Sequence, residues 1–231
     1  MPIIPEVQNR LRLGFPPASD AAMVRTVQEG ILMADDLVAS TPLLNSLVGR
    51  DIHGHIRRAG IAHRIKNRCD QGELPFVAVM SRMPIGNWHW LEIRSSGAHA
   101  HVCRTETAGG FPDDTPNRQD ARLTNQFDLF DWSKNIVPIS QSLANINSLY
   151  TWLTFGIGPK GKLCHLCWAS PAPDNNSWLA FANILSSSMA SQTSPPDPRT
   201  PDPLERMKFK EHIEEALDSD VAIPSDDKAG E

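Results

Sequence analysis

The side chains able to do chemistry crowd into one stretch, Pro75 to Thr105, which holds three of the eight histidines, one of the four cysteines and a mid-strand carboxylate. The stretch, PFVAVMSRMPIGNWHWLEIRSSGAHAHVCRT, reads as three β-strands in succession. Alternation places His99, His101 and Cys103 on one face of the third strand. In the second it separates His89, Leu91 and Ile93 from Trp88, Trp90, Glu92 and Arg94. Imidazole and thiolate together suit zinc, so His89, His99, His101 and Cys103 are the candidate ligands of a divalent metal; no cofactor is certain. Register decides which of them meet. If Ser95, Ser96 and Gly97 form a three-residue loop, Arg94 pairs with Ala98 and His89 lies opposite Cys103. A two-residue loop brings Glu92 and Trp90 beside the histidines instead. The plain alternative is a set of half-exposed strand histidines that bind nothing.

Glu92-Ile93-Arg94 is similar to the E-x-K of restriction-type nucleases, which makes Glu92 and Arg94 the catalytic candidates, with Asp70 or Glu73 as a second carboxylate. Arginine stands where lysine is needed; always protonated, it cannot act as a base, although it can stabilise developing charge. Other motifs carry less. Cys164 and Cys167 form a CxxC, but on a strand residues three apart point to opposite faces, and no second CxxC accompanies it. His53-Gly54-His55 sits in a helical pattern, where positions two apart diverge by about 200°. The run Gly156 to Lys162 has the spacing of a phosphate-binding loop, yet Leu163 replaces the required Ser or Thr and a strand follows, so a hairpin turn is expected. Gln126-Phe127-Asp128-Leu129-Phe130 is similar to peptides that bind the bacterial sliding clamp, although Leu129 and Phe130 also suit a core.

These strands need helices to bury them. Ser19 or Asp20 starts a helix with Met23, Val27, Ile31, Ala34 and Val38 at helical spacing. A second is expected from about Leu44 to Asp70, broken near Gly49. Between Arg50 and Arg68 it carries six basic residues against one acid, and Arg50, Arg57, Arg64 and Arg68 fall in one narrow stripe. Such a stripe must face water, a partner or an anion, so these four are the candidate residues for protein or nucleic-acid binding.

A chain of 231 residues with 40% hydrophobic and 21% charged residues has the composition of a globular protein. The expected layout is an extended lead-in over 1–18, dictated by Pro2, Pro5, Pro16 and Pro17; a single domain over 19–185; a Pro/Ser-rich linker over 186–203; an amphipathic acidic helix over 204–217; and a disordered tail over 218–231. From Asp202 onward ten acidic and four basic residues give a local net of −6 against −5 for the whole chain, so residues 1–201 carry +1. No run approaches the roughly 18 apolar residues of a membrane helix, and the N-terminus lacks a signal-peptide layout, so a cytoplasmic protein with reduced cysteines and no membrane contact is expected.

The fold class that follows is α+β: N-terminal helices packed on a mostly antiparallel sheet built from strands near 76–104 and 149–169, with a C-terminal helical tail. In the order GRDIHGHIRRAGIAHRI, then the β stretch, QFDLF, YTWLTFGIGPKGKLCHLCWASPAP and Trp178, residues 40–185 resemble a poorly characterised bacterial group whose genes stand beside regulators and metalloprotease-like antitoxins. The resemblance implies a toxin–antitoxin or phage-defence component and transfers no catalytic residue. The expected function is therefore a cytoplasmic regulatory or toxin-like protein acting through macromolecular contacts, with a protein partner or a nucleic acid. The alternative is a metal-dependent hydrolase or nuclease with its site on the central hairpin.

Overall fold

The computed structural model describes residues 3–82, 89–113, 115–125, 148–174 and 176–186. Alternating apolar positions become six strands in one sheet, side by side in chain order: β1 (Val77–Arg82), β2 (His89–Ser95), β3 (Ala98–Arg104), β4 (Leu149–Ile157), β5 (Leu163–Pro171) and β6 (Trp178–Asn183). All neighbours run antiparallel except β3 and β4. A parallel pair cannot be joined by a tight turn, so the chain between them must travel back over one face of the sheet. The described part of that crossover holds α5 (Pro116–Arg122) and a 3-10 turn, Leu123–Asn125. Helix α5 begins at Pro116, because proline is well placed at a helix start, where a missing N–H leaves nothing unsatisfied. The phosphate-loop spacing at Gly156–Lys162 is the β4–β5 hairpin, with Pro159–Gly161 as its 3-10 turn.

The opposite face is covered by α1 (Pro5–Gly14), α2 (Asp20–Ser40) and α4 (His53–Asp70). The extended lead-in is corrected at α1. Pro5 opens a helix as readily as it forbids a helix interior, and the ten residues before Pro16 suffice for nearly three turns. Helix α3 (Leu47–Arg50) is a single turn, separated from α4 by Asp51-Ile52, so the expected break near Gly49 falls two residues later. Helices α2 and α4 cross at two glycines. A Cβ on Gly60 would stand 2.5 Å from the Gly30 carbonyl oxygen, and one on Gly30 would stand 2.6 Å from Ile61 Cα. Only hydrogen lets the backbones approach so closely.

The core lies between this helical layer and the sheet. Leu11, Phe15, Met23, Val27, Ile31, Ile61 and Ile65 meet Ile93, Ala100, Leu153, Phe155, Leu166 and Trp168. A smaller cluster on the other face joins Cys103, Tyr150 and Trp152 to Phe111, Ala121 and Trp178, under the crossover. This is an α+β architecture with the sheet covered on both sides. Among the described residues no helix is long and apolar enough to cross a membrane. The sliding-clamp-like peptide Gln126–Phe130, the acidic helix over 204–217, the tail over 218–231 and all but the first residue of the linker lie outside the described residues.

Candidate functional site

The hairpin that organises the site closes with two residues, Ser96 and Gly97. Ser95 pairs with Ala98, Arg94 with His99, Ile93 with Ala100 and Glu92 with His101. Gly97 takes φ 74°, in the left-handed region where a side chain is strained, which makes glycine the natural residue for this tight turn. Of the two registers open to the sequence, this one brings Glu92 and Trp90 to the histidines. His89 is not brought there: it pairs with Arg82 at the far end of β1 and is exposed. The parallel pairing of β3 with β4 then sets His99 beside Tyr150 and His101 beside Trp152.

A polar row results across β2, β3 and β4. Glu92 is 8% exposed and accepts a hydrogen bond from Arg94 Nη2 at 2.8 Å. Burial pushes its carboxyl up, but the hydrogen bond and charge of Arg94, helped by the two histidines, outweigh this and hold it below the ordinary range. His99 Nδ1 lies 2.8 Å from Ser148 Oγ. The His101 ring is stacked against Trp90, with centroids 4.3 Å apart, and meets Tyr150 edge-on at 5.3 Å.

The Tyr150 hydroxyl links Trp152 to His101. Trp152 Nε1 can only donate, and it donates to Tyr150 Oη at 2.8 Å. The Tyr150 hydroxyl proton is then free to point at His101 Nδ1, 2.9 Å away. In the tautomer where Nδ1 accepts it, the neutral ring carries its proton on Nε2. Burial, reinforced by His99 and Arg118, pushes His101 down to about 4, and burial likewise lowers His99. Asn125 holds the frame: its Nδ2 donates to the Tyr150 and Pro171 carbonyls at 2.8 and 3.0 Å, and its Oδ1 accepts from the Tyr150 N–H at 2.8 Å.

This arrangement yields a pH prediction. The folded value of His101, about 4, lies below the ordinary 6.5, so the folded state binds fewer protons than the unfolded one. Its contribution is complete above 6.5 and is lost as pH falls toward 4, by up to about 3 kcal/mol. NMR titration should show the His101 ring still neutral at pH 5.5; a midpoint near 6.5 would contradict the burial argument.

Cys103 completes the row. It is 3% exposed, and burial raises its thiol against the opposing pull of Arg118 and Arg58, so it is a protonated thiol at neutral pH. Here the β2–β3 ladder has already ended, at Glu92 and His101, while β2 continues along β1 alone to His89. Arg58 approaches from α4 and Arg118 from α5, and both lie within electrostatic reach of Cys103 and of each other. Among the described residues no group of three or more His, Cys, Asp or Glu is placed to hold a metal ion. Glu92 is held by Arg94, and His99 and His101 each have Nδ1 within hydrogen-bond distance of a hydroxyl.

The arginine stripe has a different fate. Arg57 Nε meets Asp35 at 2.6 Å, Arg64 meets Glu29 at 2.6 Å, and Arg68 meets Glu29 at 2.9 Å and also Glu73. A stripe expected to face water, a partner or an anion faces the acidic side of α2 over three of its four positions; Arg50 alone of the four is exposed. Cys164 and Cys167 lie on one strand, the first exposed and the second buried with its thiol pushed up to about 11. His53 lies in α4 with its Nε2 2.7 Å from the Leu44 carbonyl oxygen. Tyr150, Asn125, Arg58 and Arg118 went unselected in the sequence. The alternation of Tyr150 with Leu149 and Thr151 was a usable signal for a shared face; nothing local pairs β4 with β3.

Comparison with protein-family models, curated proteins and solved structures finds no match to this chain.

Proposed function

We propose that the protein is a cytoplasmic regulatory or toxin-like component of a bacterial toxin–antitoxin or defence system, and that it works by contact with a partner protein. The observation that supports this reading is an apolar ridge around α3. Leu43, Leu47 and Val48 are 68, 78 and 76% exposed, and Ile52 is 39% exposed, all within ten residues of chain. Scattered surface leucines need no explanation, but a cluster of this kind is the usual mark of a docking surface. Arg50 stands exposed in the ridge, and beyond Asp51 the next charged groups, Arg57 and Arg58, are basic. The partner surface that suits it is apolar with an acidic margin.

Tagged full-length protein recovered from its native host should carry a stoichiometric partner. Val48→Glu should lose it, by at least about tenfold in recovered partner, because a buried unpaired carboxylate costs several kcal/mol. Leu13→Glu, on another exposed leucine, should retain it. A wild-type protein that elutes alone, or as a second copy of itself, sinks the proposal. The rival reading, a metal-dependent hydrolase or nuclease, draws on the meeting of Glu92 with His101. Metal analysis of the same sample separates the two: stoichiometric zinc or manganese favours the hydrolase.

A further inference from the structure

We propose that Cys164 is a nucleophilic thiol with His165 as its base, and that it exchanges with small-molecule disulfides. The inference stands apart from the α3 ridge and does not need it. Cys164 is exposed near the start of β5, just past the β4–β5 turn. Strict alternation would turn it away from His165, but the strand is bulged here. Ile157 pairs with Leu163 and Gly156 with His165, so Cys164 is an extra residue of β5 with no partner on β4. A bulge of this kind re-aims a side chain, and Cys164 Sγ lies 3.4 Å from His165 Nδ1. Cys167, its companion in the CxxC, is buried with its thiol pushed up to about 11. The sulfur of Cys164 meets the neighbouring imidazole instead.

The base is held from its other side. His165 is 3% exposed, and its Nε2 lies 2.8 Å from Thr105 Oγ1. Thr105 follows β3 and is fixed beside β4 by its backbone N–H, which donates to the Phe155 carbonyl oxygen at 2.9 Å. The ring spans from β5 to the end of β3 across Gly156, where any Cβ would run into Cε1, Nδ1 and Nε2. Burial lowers the His165 imidazole, so at neutral pH it is uncharged and has one nitrogen able to accept a proton. In the tautomer that donates Nε2–H to Thr105, Nδ1 is an acceptor facing the Cys164 S–H. A thiol, a base and a third group that orients the base are the parts of an activated nucleophile. Attack on a carbonyl would need oxyanion donors as well, whereas attack on sulfur needs a thiol, a base and access, all present here. In the exchange the S–H proton passes to His165 Nδ1 as Cys164 Sγ bonds to one sulfur of the disulfide. The old S–S bond breaks, and the leaving thiolate takes the proton back from Nδ1. Cys164 is oxidised to a mixed disulfide, and the other half of the reagent is reduced to a thiol.

The test is reaction of the full chain at neutral pH with dithiobis-nitrobenzoate, an aromatic disulfide, followed by the absorbance of the released thiolate and by peptide mass mapping. One fast thiol is expected, mapping to Cys164, about tenfold or more faster than the thiols of the urea-unfolded chain and absent from Cys164→Ser. Cys69→Ser should leave it unchanged, because Cys69 is half-buried with its thiol pushed up to about 11. His165→Gln should slow it about tenfold or more. Thr105 acts through the ring, as a positioning residue. Thr105→Val keeps the shape and should slow the reaction about threefold or more, while Thr105→Ser restores the hydroxyl and should return the rate toward that of the wild type, which packing alone would not do. Circular dichroism establishes folding; should His165→Gln fail to fold, the two Thr105 variants decide. The proposal is overturned if the fast thiol maps elsewhere, if Cys164 reacts no faster than the unfolded chain, if folded His165→Gln reacts like the wild type, or if Thr105→Val and Thr105→Ser react alike.

Discussion

Replacing Trp168 by alanine should remove about 3–5 kcal/mol of unfolding free energy, a third or more of what a domain of this size commonly has. Trp168, on β5, is fully buried between the sheet and the helices. Its ring stacks on Phe15 at 4.0 Å with planes 12° apart, and Phe76 meets it edge-on at 6.2 Å. These three rings come from β5, from the end of α1 and from the residue before β1, so the cavity would open where three distant segments join. Neighbouring side chains cannot relax into it without moving α1. Urea unfolding followed by far-ultraviolet circular dichroism measures the loss; a drop below about 1 kcal/mol would mean that α1 contributes little to the core. Phe15→Leu keeps most of the volume and should cost clearly less.

The second large effect is electrostatic. Glu29→Ala should destabilise the protein by about 3 kcal/mol, because Glu29 is the carboxylate that Arg64 and Arg68 of α4 both meet. Arg64 is only 7% exposed, so its charge would lose that partner in a poorly hydrated place, whereas Arg68 keeps Glu73. Burial raises the Glu29 carboxyl, but the two arginines outweigh it and hold it below its ordinary 4.5. A depressed carboxyl stabilises the folded state above its unfolded value and ceases to do so as pH falls through the folded one. The gap between wild type and variant should therefore be full above about pH 5 and shrink under more acid conditions. The double variant Glu29→Ala, Arg64→Leu should recover part of the loss, since it removes the buried charge altogether. If the double variant is no more stable than Glu29→Ala, the ion pair is not what joins α2 to α4.

The same pair explains why a basic stripe on one helix is a poor guide to what it touches. Arg57, Arg64 and Arg68 repeat at the helical period and meet Asp35 and Glu29 of α2, but nothing in either segment says that the two helices meet. Gly30 and Gly60 permit the meeting by letting the backbones approach. Arg58, one position off the stripe, is half-buried and lies within electrostatic reach of Cys103. The hairpin is a similar case. Its strands, its two candidate registers and the residues each would gather could be written from alternation, and a single residue of turn length separated them.

Local periodicity determined the existence of α2, α4 and the first five strands, the shared face of His99, His101 and Cys103, and the α+β class, because period and turn chemistry act over a few residues and need no distant partner. The tertiary structure alone decided that β3 and β4 run parallel, that the Tyr150 hydroxyl joins Trp152 to His101, and that three of the four arginines are matched by α2. Each of these joins residues tens of positions apart. Strand order, burial and charge pairing belong to the assembled layers, where the free energy of a side chain depends on what arrives opposite it.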